Sequence, residues 1–184
     1  MMKNTTKELT EKQKERLRQF NDYWGKKVVK SFLIDNGVDE NTIYDTKKYD
    51  CCDLIVEMSG TIHIIEIKNR WTPPKYYRQL ESYAIQDVKY DKLIQRAKDI
   101  EVAHNKRCKI WYINMSQHNM LVHDITDIDI SKLEIQPRWT NKQHNSEDKE
   151  LHNYYQLQVD APYTKTHPIN NGLKEERGLF YGSF

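Results

Sequence analysis

Three residues have types and spacing that could do chemistry together: Asp53, Glu66 and Lys68. Glu66 and Lys68 stand two apart, a spacing that points both side chains to one face of an extended strand. They follow Ile62, His63, Ile64 and Ile65, so a carboxylate and an ammonium end a run that otherwise reads as core. Burying them is costly unless they pair with each other or serve a ligand. Asp53 opens the preceding strand-like run, thirteen residues before Glu66, and a hairpin between the runs would bring the two carboxylates close. Adjacent carboxylates repel, and a divalent cation relieves the repulsion. Hard oxygen donors suit Mg²⁺ or Mn²⁺, which usually keep several waters for a substrate to replace. A nearby lysine can orient an attacking water or neutralise charge developing on a phosphate. These residue types suit metal-assisted hydrolysis of a phosphodiester. They also have an ordinary structural reading, with Asp53 as a strand-start polar residue and Glu66–Lys68 as an edge ion pair.

The elements that must hold these residues can be read along the chain. Thr5 with Glu8, and Thr10 with Gln13, have capping-box spacing. Leu17, Phe20, Trp24 and Val28 then mark one helical stripe, with a stop predicted at Asn36-Gly37. Gly25 within that stripe implies close packing or a break. The runs 53–58 and 61–68 read as strands joined by a Ser59-Gly60 turn. From Tyr76 to about Asn105 there is no Gly or Pro, and Leu80, Tyr83, Ala84, Val88, Leu93, Ile94 and Ala97 predict a helix, with a possible break near Tyr90. Strands are predicted at 109–115 and 120–125, and another at 154–159. The tail from Thr164 is polar until it closes on Leu179, Phe180, Tyr181 and Phe184. Such a terminus should dock on its own core, on a second copy in a homodimer, or on a partner protein.

At the three chemical residues the sequence resembles the PD-(D/E)XK nuclease superfamily. Its signature is an Asp starting one strand of a hairpin and Glu-x-Lys on the next, here Asp53 and Glu66-Ile67-Lys68. The resemblance implies an α/β fold with a restriction-endonuclease-like core, a central mixed β-sheet flanked by helices. That core would cover about residues 15–125 of a single domain, 1–184, with a C-terminal extension over about 137–184. It implies that Asp53 and Glu66 ligate Mg²⁺ or Mn²⁺, helped by the Ile67 carbonyl, while Lys68 serves the water and the phosphate. Cys52 stands where the family often has Pro, a shaping residue. Gln79 and Tyr83 fit the Gln-x-x-x-Tyr motif of the RecB-like exonuclease branch, in which the two share a helical face turned to the metal and join the catalytic set. Branch members with an iron–sulfur cluster need four cysteines, and this chain has three. The family's first helix often adds an acidic residue, for which Glu15 and Asp22 are candidates.

The expected activity is that of a metal-dependent deoxyribonuclease, exonuclease-like or specific for ends or structures, leaving a 5′-phosphate and a 3′-hydroxyl. The alternatives are a restriction- or resolvase-type endonuclease of the same fold, a non-catalytic nucleic-acid-binding module, and a subunit of a larger complex. Arg70, Lys75, Tyr76 and Arg78 mix cations with aromatics just past the active strand, which suits phosphate contact and base stacking, with DNA rather than RNA as partner. Glu57 reads as solvent-facing, His63 as a core or surface histidine opposite Glu66, and the remaining histidines show no ligand spacing.

Charge distribution is consistent with a polyanionic partner. Residues 1–30 carry nine Lys/Arg against four Asp/Glu, and 68–98 eight against three, whereas 121–160 carry four against eight. Lysine-rich helical surfaces also occur simply for solubility. Cys51, Cys52 and Cys108 make a poor disulfide framework and offer no paired metal-ligand spacing, so reduced thiols in a cytoplasm are expected. No apolar stretch approaches spanning length, and the polar N-terminus is not a signal peptide, so no membrane is expected.

Overall fold

The computed structural model describes residues 10–47, 50–69, 82–116, 118–141 and 149–182. Helix α1 (Glu11–Asp35) begins at the second of the two capping boxes: Gln13 N–H donates to Thr10 Oγ1, and Thr10 N–H donates back to Gln13 Oε1 at 2.9 Å. It ends where Gly37 takes a left-handed φ of +85°, so that the Gly37 and Val38 N–H groups turn back to Ile34 and Leu33. Gly25 does not break the helix. A Cβ there would run into the Asn69 amide and stand 3.0 Å from Met115 Cε and 3.2 Å from Ile67 Cγ2, so the glycine lets the helix lie close on the sheet.

That sheet has six strands: β1 (Ile43–Asp45), β2 (Leu54–Met58), β3 (Thr61–Asn69), β5 (Cys108–Met115), β6 (Asn119–Asp124) and β9 (Thr164–Pro168), hydrogen-bonded in that order. β2 and β3 form the antiparallel hairpin, its two-residue turn made by Ser59 and Gly60 with φ of 51° and 74°. Positive φ at both central positions matches the right-handed twist of the flanking strands. β5 runs parallel to β3, and the crossover passes through β4 (Ser82–Gln86) and α2 (Asp87–His104). β6 and β9 complete the sheet antiparallel, so it is mixed and flanked by helices, an α/β architecture.

Alternation along β3 sends Ile65 and Ile67 to one face, where Trp24, Val28, Val29 and Leu33 of α1 bury them with Leu54, Ile113 and Met115. Ile62 and Ile64 go to the other face, against Leu93, Ala97 and Ile100 of α2 and Ile85 of β4. A second, three-stranded sheet, ordered β4-β8-β7, adds β7 (Ile135–Asn141) and β8 (Lys149–Gln158).

One expectation needs correction. The predicted helix across 76–105 is a strand and then a helix. Ser82–Gln86 pairs with Tyr154–Gln158 of β8, and α2 starts only at Asp87, running unbroken past Tyr90. Helix propensity over 82–86 is overridden by a strand partner some seventy residues away in sequence. Tyr83 is therefore a strand residue and shares no helical face with Gln79, which lies outside the described residues. The polar tail takes regular structure. Its first part is edge strand β9, and helix α3 (Asn171–Gly182) lies against α1. Trp24 Nε1 donates to the Leu173 carbonyl at 2.9 Å, Lys27 pairs with Glu176 at 2.7 Å, and the Arg177 guanidinium sits 4.4 Å over the Trp24 ring. At least the first turns of this helix dock on the chain's own core. The C-terminal extension is thus woven into both sheets. Among the described residues, no helix is long and apolar enough to cross a membrane.

Candidate functional site

The β2–β3 hairpin settles which residues meet. Leu54 pairs with Ile65, and Asp53 continues the ladder by donating its N–H to the Ile65 carbonyl at 2.8 Å. One step further, Asp53 and Glu66 stand side by side on the face turned away from α1. Asp53 Oδ2 accepts the Ile67 N–H at 2.7 Å, which fixes the carboxylate against the strand. Burial and then the charge of Glu66 push the Asp53 carboxyl above its ordinary value of 3.8; the Ile67 N–H, Lys68 and Lys26 pull it back. The second cause places the Glu66 charge beside Asp53.

Glu66 is the more deeply held, with its side chain 4% exposed. Its Oε1 lies 2.6 Å from Lys68 Nζ and 2.9 Å from Lys89 Nζ. Lys68 comes from the same face of β3, two residues on, as the alternation requires. Lys89 comes from the first turn of α2 and donates also to the Cys51 carbonyl at 3.1 Å. It thereby ties the crossover helix both to β3 and to the segment leading into Asp53. Sequence reasoning missed Lys89. A signal existed: Lys89, Leu93, Ala97 and Ile100 fall on one helical stripe, so a cation sits on a buried face.

The segment before Asp53 is bent. Asp50 N–H donates to Lys47, Thr46 N–H to the Asp53 carbonyl at 3.2 Å, and the Thr46 hydroxyl to the Cys52 carbonyl. The bend brings together donors that an extended chain would send to opposite faces: ligand atoms of Asp50, Cys51 and Cys52 all lie within 4.8 Å of one another. Arg96 of α2 faces Asp50 at 3.7 Å. This sulfur-bearing set, which spacing alone did not suggest, suits a softer ion than Mg²⁺. Burial pushes both thiols up, Cys52 the further, so their protons are held at neutral pH. All three cysteines are free.

The remaining candidates separate. Ile67 contributes its N–H to Asp53 and its side chain to the α1 core. Tyr83 is buried in β4 with its ring 6.1 Å from that of His123. Glu15 is exposed and paired with Arg18 at 3.2 Å, and Asp22 is exposed on α1. Gln79, Arg70, Lys75, Tyr76 and Arg78 lie outside the described residues. Glu57 pairs with Lys106 at the far end of the hairpin. His63 is buried on the α1 face against Trp111, with ring centroids 4.7 Å apart, and burial lowers its pKa to about 4. Part of the basic N-terminal segment is tied to acids, Lys26 and Lys30 to Asp45 and Lys27 to Glu176.

For a divalent cation the fit is chemical: two carboxylates side by side, one nearly inaccessible, the other raised by burial and by its neighbour's charge. Compared with models of known protein families and with curated protein sequences, the chain matches none.

Proposed function

We propose that the chain is a metal-dependent nuclease of the PD-(D/E)XK kind that hydrolyses phosphodiester bonds in DNA with Mg²⁺ or Mn²⁺. The observation that carries the reading is the pair Asp53 and Glu66, set side by side by the hairpin with Lys68 on the same face. Holding two carboxylates together and out of water is costly, and the fold accepts that cost at the end of its central strand rather than at its rim. The mixed sheet with helices on both faces agrees with a restriction-endonuclease-like core.

Asp53 and Glu66 would hold the ion, with the Ile67 carbonyl beside them. The ion supplies Lewis acidity toward a phosphate oxygen and lowers the pKa of a bound water. Lys68, with its side chain 40% exposed, can leave Glu66 to meet a phosphate and neutralise the charge that develops in the transition state. The Gln-x-x-x-Tyr element drops out of the reading, and with it the support for preferring ends over internal sites. DNA contact through Arg70, Lys75, Tyr76 and Arg78 remains part of the proposal.

The test is cleavage of single-stranded, duplex and branched DNA with and without Mn²⁺. Wild-type protein should cut only with the ion. Lys68→Ala should lose about a hundredfold or more in rate while keeping most DNA affinity, and Asp53→Ala/Glu66→Ala should lose metal binding and cleavage together. One observation favours a second reading, a non-catalytic nucleic-acid-binding module: Glu66 already carries two ammonium partners, so the site is neutral without an ion. DNA binding with no cleavage under any metal would select it.

A further inference from the structure

The neutrality of the quartet has a consequence for how the proposed nuclease site takes its ion. Asp53 and Glu66 bring two negative charges, and Lys68 and Lys89 bring two positive ones. A divalent cation entering this half-buried cluster adds charge that nothing in it balances, at distances where Coulomb energies are large. A phosphate supplies that balance, because it brings negative charge and competes for the ammonium groups.

The two lysines are not equivalent. Among the described residues Lys68 pairs with Glu66, and its side chain is 40% exposed. Lys89 is 25% exposed and held at two points, Glu66 Oε1 and the Cys51 carbonyl, so it is the harder to displace. The helix gains nothing from it: a cation in the first turn is set against the helix dipole, whose N-terminal end is positive. Its placement serves the carboxylates.

We propose that Lys89 sets the metal affinity of the site, keeping Glu66 occupied in the free protein so that the ion binds well only when a phosphate is present to draw the ammonium groups away. Metal and phosphate then bind cooperatively, and by linkage each strengthens the other by the same factor. This rests on the nuclease reading and is separable from it.

The experiment is calorimetric titration of Mn²⁺ into the full chain, alone and with thymidine 5′-monophosphate, which carries a phosphate but no diester left to cleave. Wild-type protein should bind Mn²⁺ about tenfold more tightly with the nucleotide present. Lys89→Met should bind Mn²⁺ alone about tenfold more tightly than wild type and lose most of the dependence on nucleotide. Lys89→Arg, which keeps the charge, should behave as wild type. Mn²⁺ affinity in Lys89→Met no tighter than in wild type overturns the role of Lys89, while Mn²⁺ binding that still disappears in Asp53→Ala/Glu66→Ala leaves the nuclease reading standing. Wild-type affinity that ignores the nucleotide also overturns the inference, with no dependence on how any variant folds. No Mn²⁺ binding by any of these proteins, with or without nucleotide, removes the nuclease reading and this inference together.

Discussion

One strand supplies both faces of the central hairpin, yet the two faces are built on different physics. Toward α1, β3 presents Ile65 and Ile67, and the helix comes close enough at Gly25 that a methyl group would not fit. The contacts there are mostly apolar and close, with the Asn69 amide donating to the Asn21 carbonyl of α1, so packing does most to fix where the helix lies. Toward α2, the same strand presents Ile62 and Ile64 and then turns to Glu66 and Lys68. The apolar half of this second face is core like the first. The charged half is satisfied by a lysine from the covering helix, which costs desolvation that a leucine would not. A fold selected for stability alone would have no reason to treat the faces differently, and the asymmetry is where the proposed site lies.

The comparison breaks most sharply at Glu66. Glu66→Gln leaves two ammonium groups facing a neutral amide beside Asp53. Removing one partner of a buried charged cluster is strongly destabilising, although both lysines are part exposed and can retreat toward water. A loss of about 2–3 kcal/mol in chemical denaturation is expected. Unchanged stability would mean that Glu66 does not hold the ammonium groups as described. On the opposite face, Gly25→Val should cost about 2 kcal/mol by overpacking against Asn69, Met115 and Ile67. Its signature differs: α1 shifts and Ile67 is pressed, but Glu66, Lys68 and Lys89 face the other way, so folded protein should lose far less metal affinity than Asp53→Ala/Glu66→Ala. Loss of metal affinity as complete as in Asp53→Ala/Glu66→Ala, at full stability, would contradict the separation of the faces.

How much of this could be read from the sequence follows from the range of the interactions. The hairpin was legible because alternation and the Ser59-Gly60 turn act over a few residues, and they carry Asp53, Glu66 and Lys68 into place. The capping box at Thr10, the stop at Gly37 and the close packing at Gly25 are local in the same sense. β4 was not legible, because Ser82–Gln86 is a strand only through its pairing with β8, and nothing in its own residues outweighs the helical pattern around it. Tyr83 was misplaced for that reason. Lys89 was legible in principle, since it shares the stripe of Leu93 and Ala97, but a lysine among apolar positions reads as surface until the partner it meets, Glu66, is in place. The Asp50–Cys52 cluster depends on a bend, which alternating patterns do not report.

Within the charged half, stability should respond with opposite signs to removing the charge of each carboxylate. Glu66 is held by ammonium groups, whereas the Asp53 carboxyl is raised by burial and by Glu66. A carboxyl raised in the fold contributes stability that is full below its unfolded value of 3.8 and is lost as pH rises through its folded value. At neutral pH its ionised form is therefore a cost. Asp53→Asn removes that cost and can still accept the Ile67 N–H through its carbonyl oxygen. The midpoint of thermal unfolding at neutral pH should rise by a few degrees, with the gain shrinking as pH falls through the folded value of Asp53, while the proposed cleavage should be lost. A lowered midpoint would show that the Asp53 charge is stabilising and that burial does not dominate.

At neutral pH the smallest effect belongs to His63, a polar ring on the mostly apolar face. His63 packs on Trp111 inside the α1 side, and burial, reinforced by Lys109, lowers its pKa from 6.5 to about 4; the Thr61 backbone and Asp124 act in the opposite direction. A histidine kept neutral by the fold contributes stability that is full above 6.5, declines below it, and is gone once pH has fallen through the folded value near 4. His63→Phe keeps the ring contact and removes the titration. At neutral pH the two proteins should unfold at nearly the same denaturant concentration. Between pH 6.5 and about 4 the wild type should lose stability relative to the variant, at no more than roughly 1 kcal/mol per pH unit. Parallel stability profiles across that window would mean that the ring reaches solvent and titrates in the folded state as it does in the unfolded one. The wall between the apolar face and water would then be thinner at Trp111 than beneath α1.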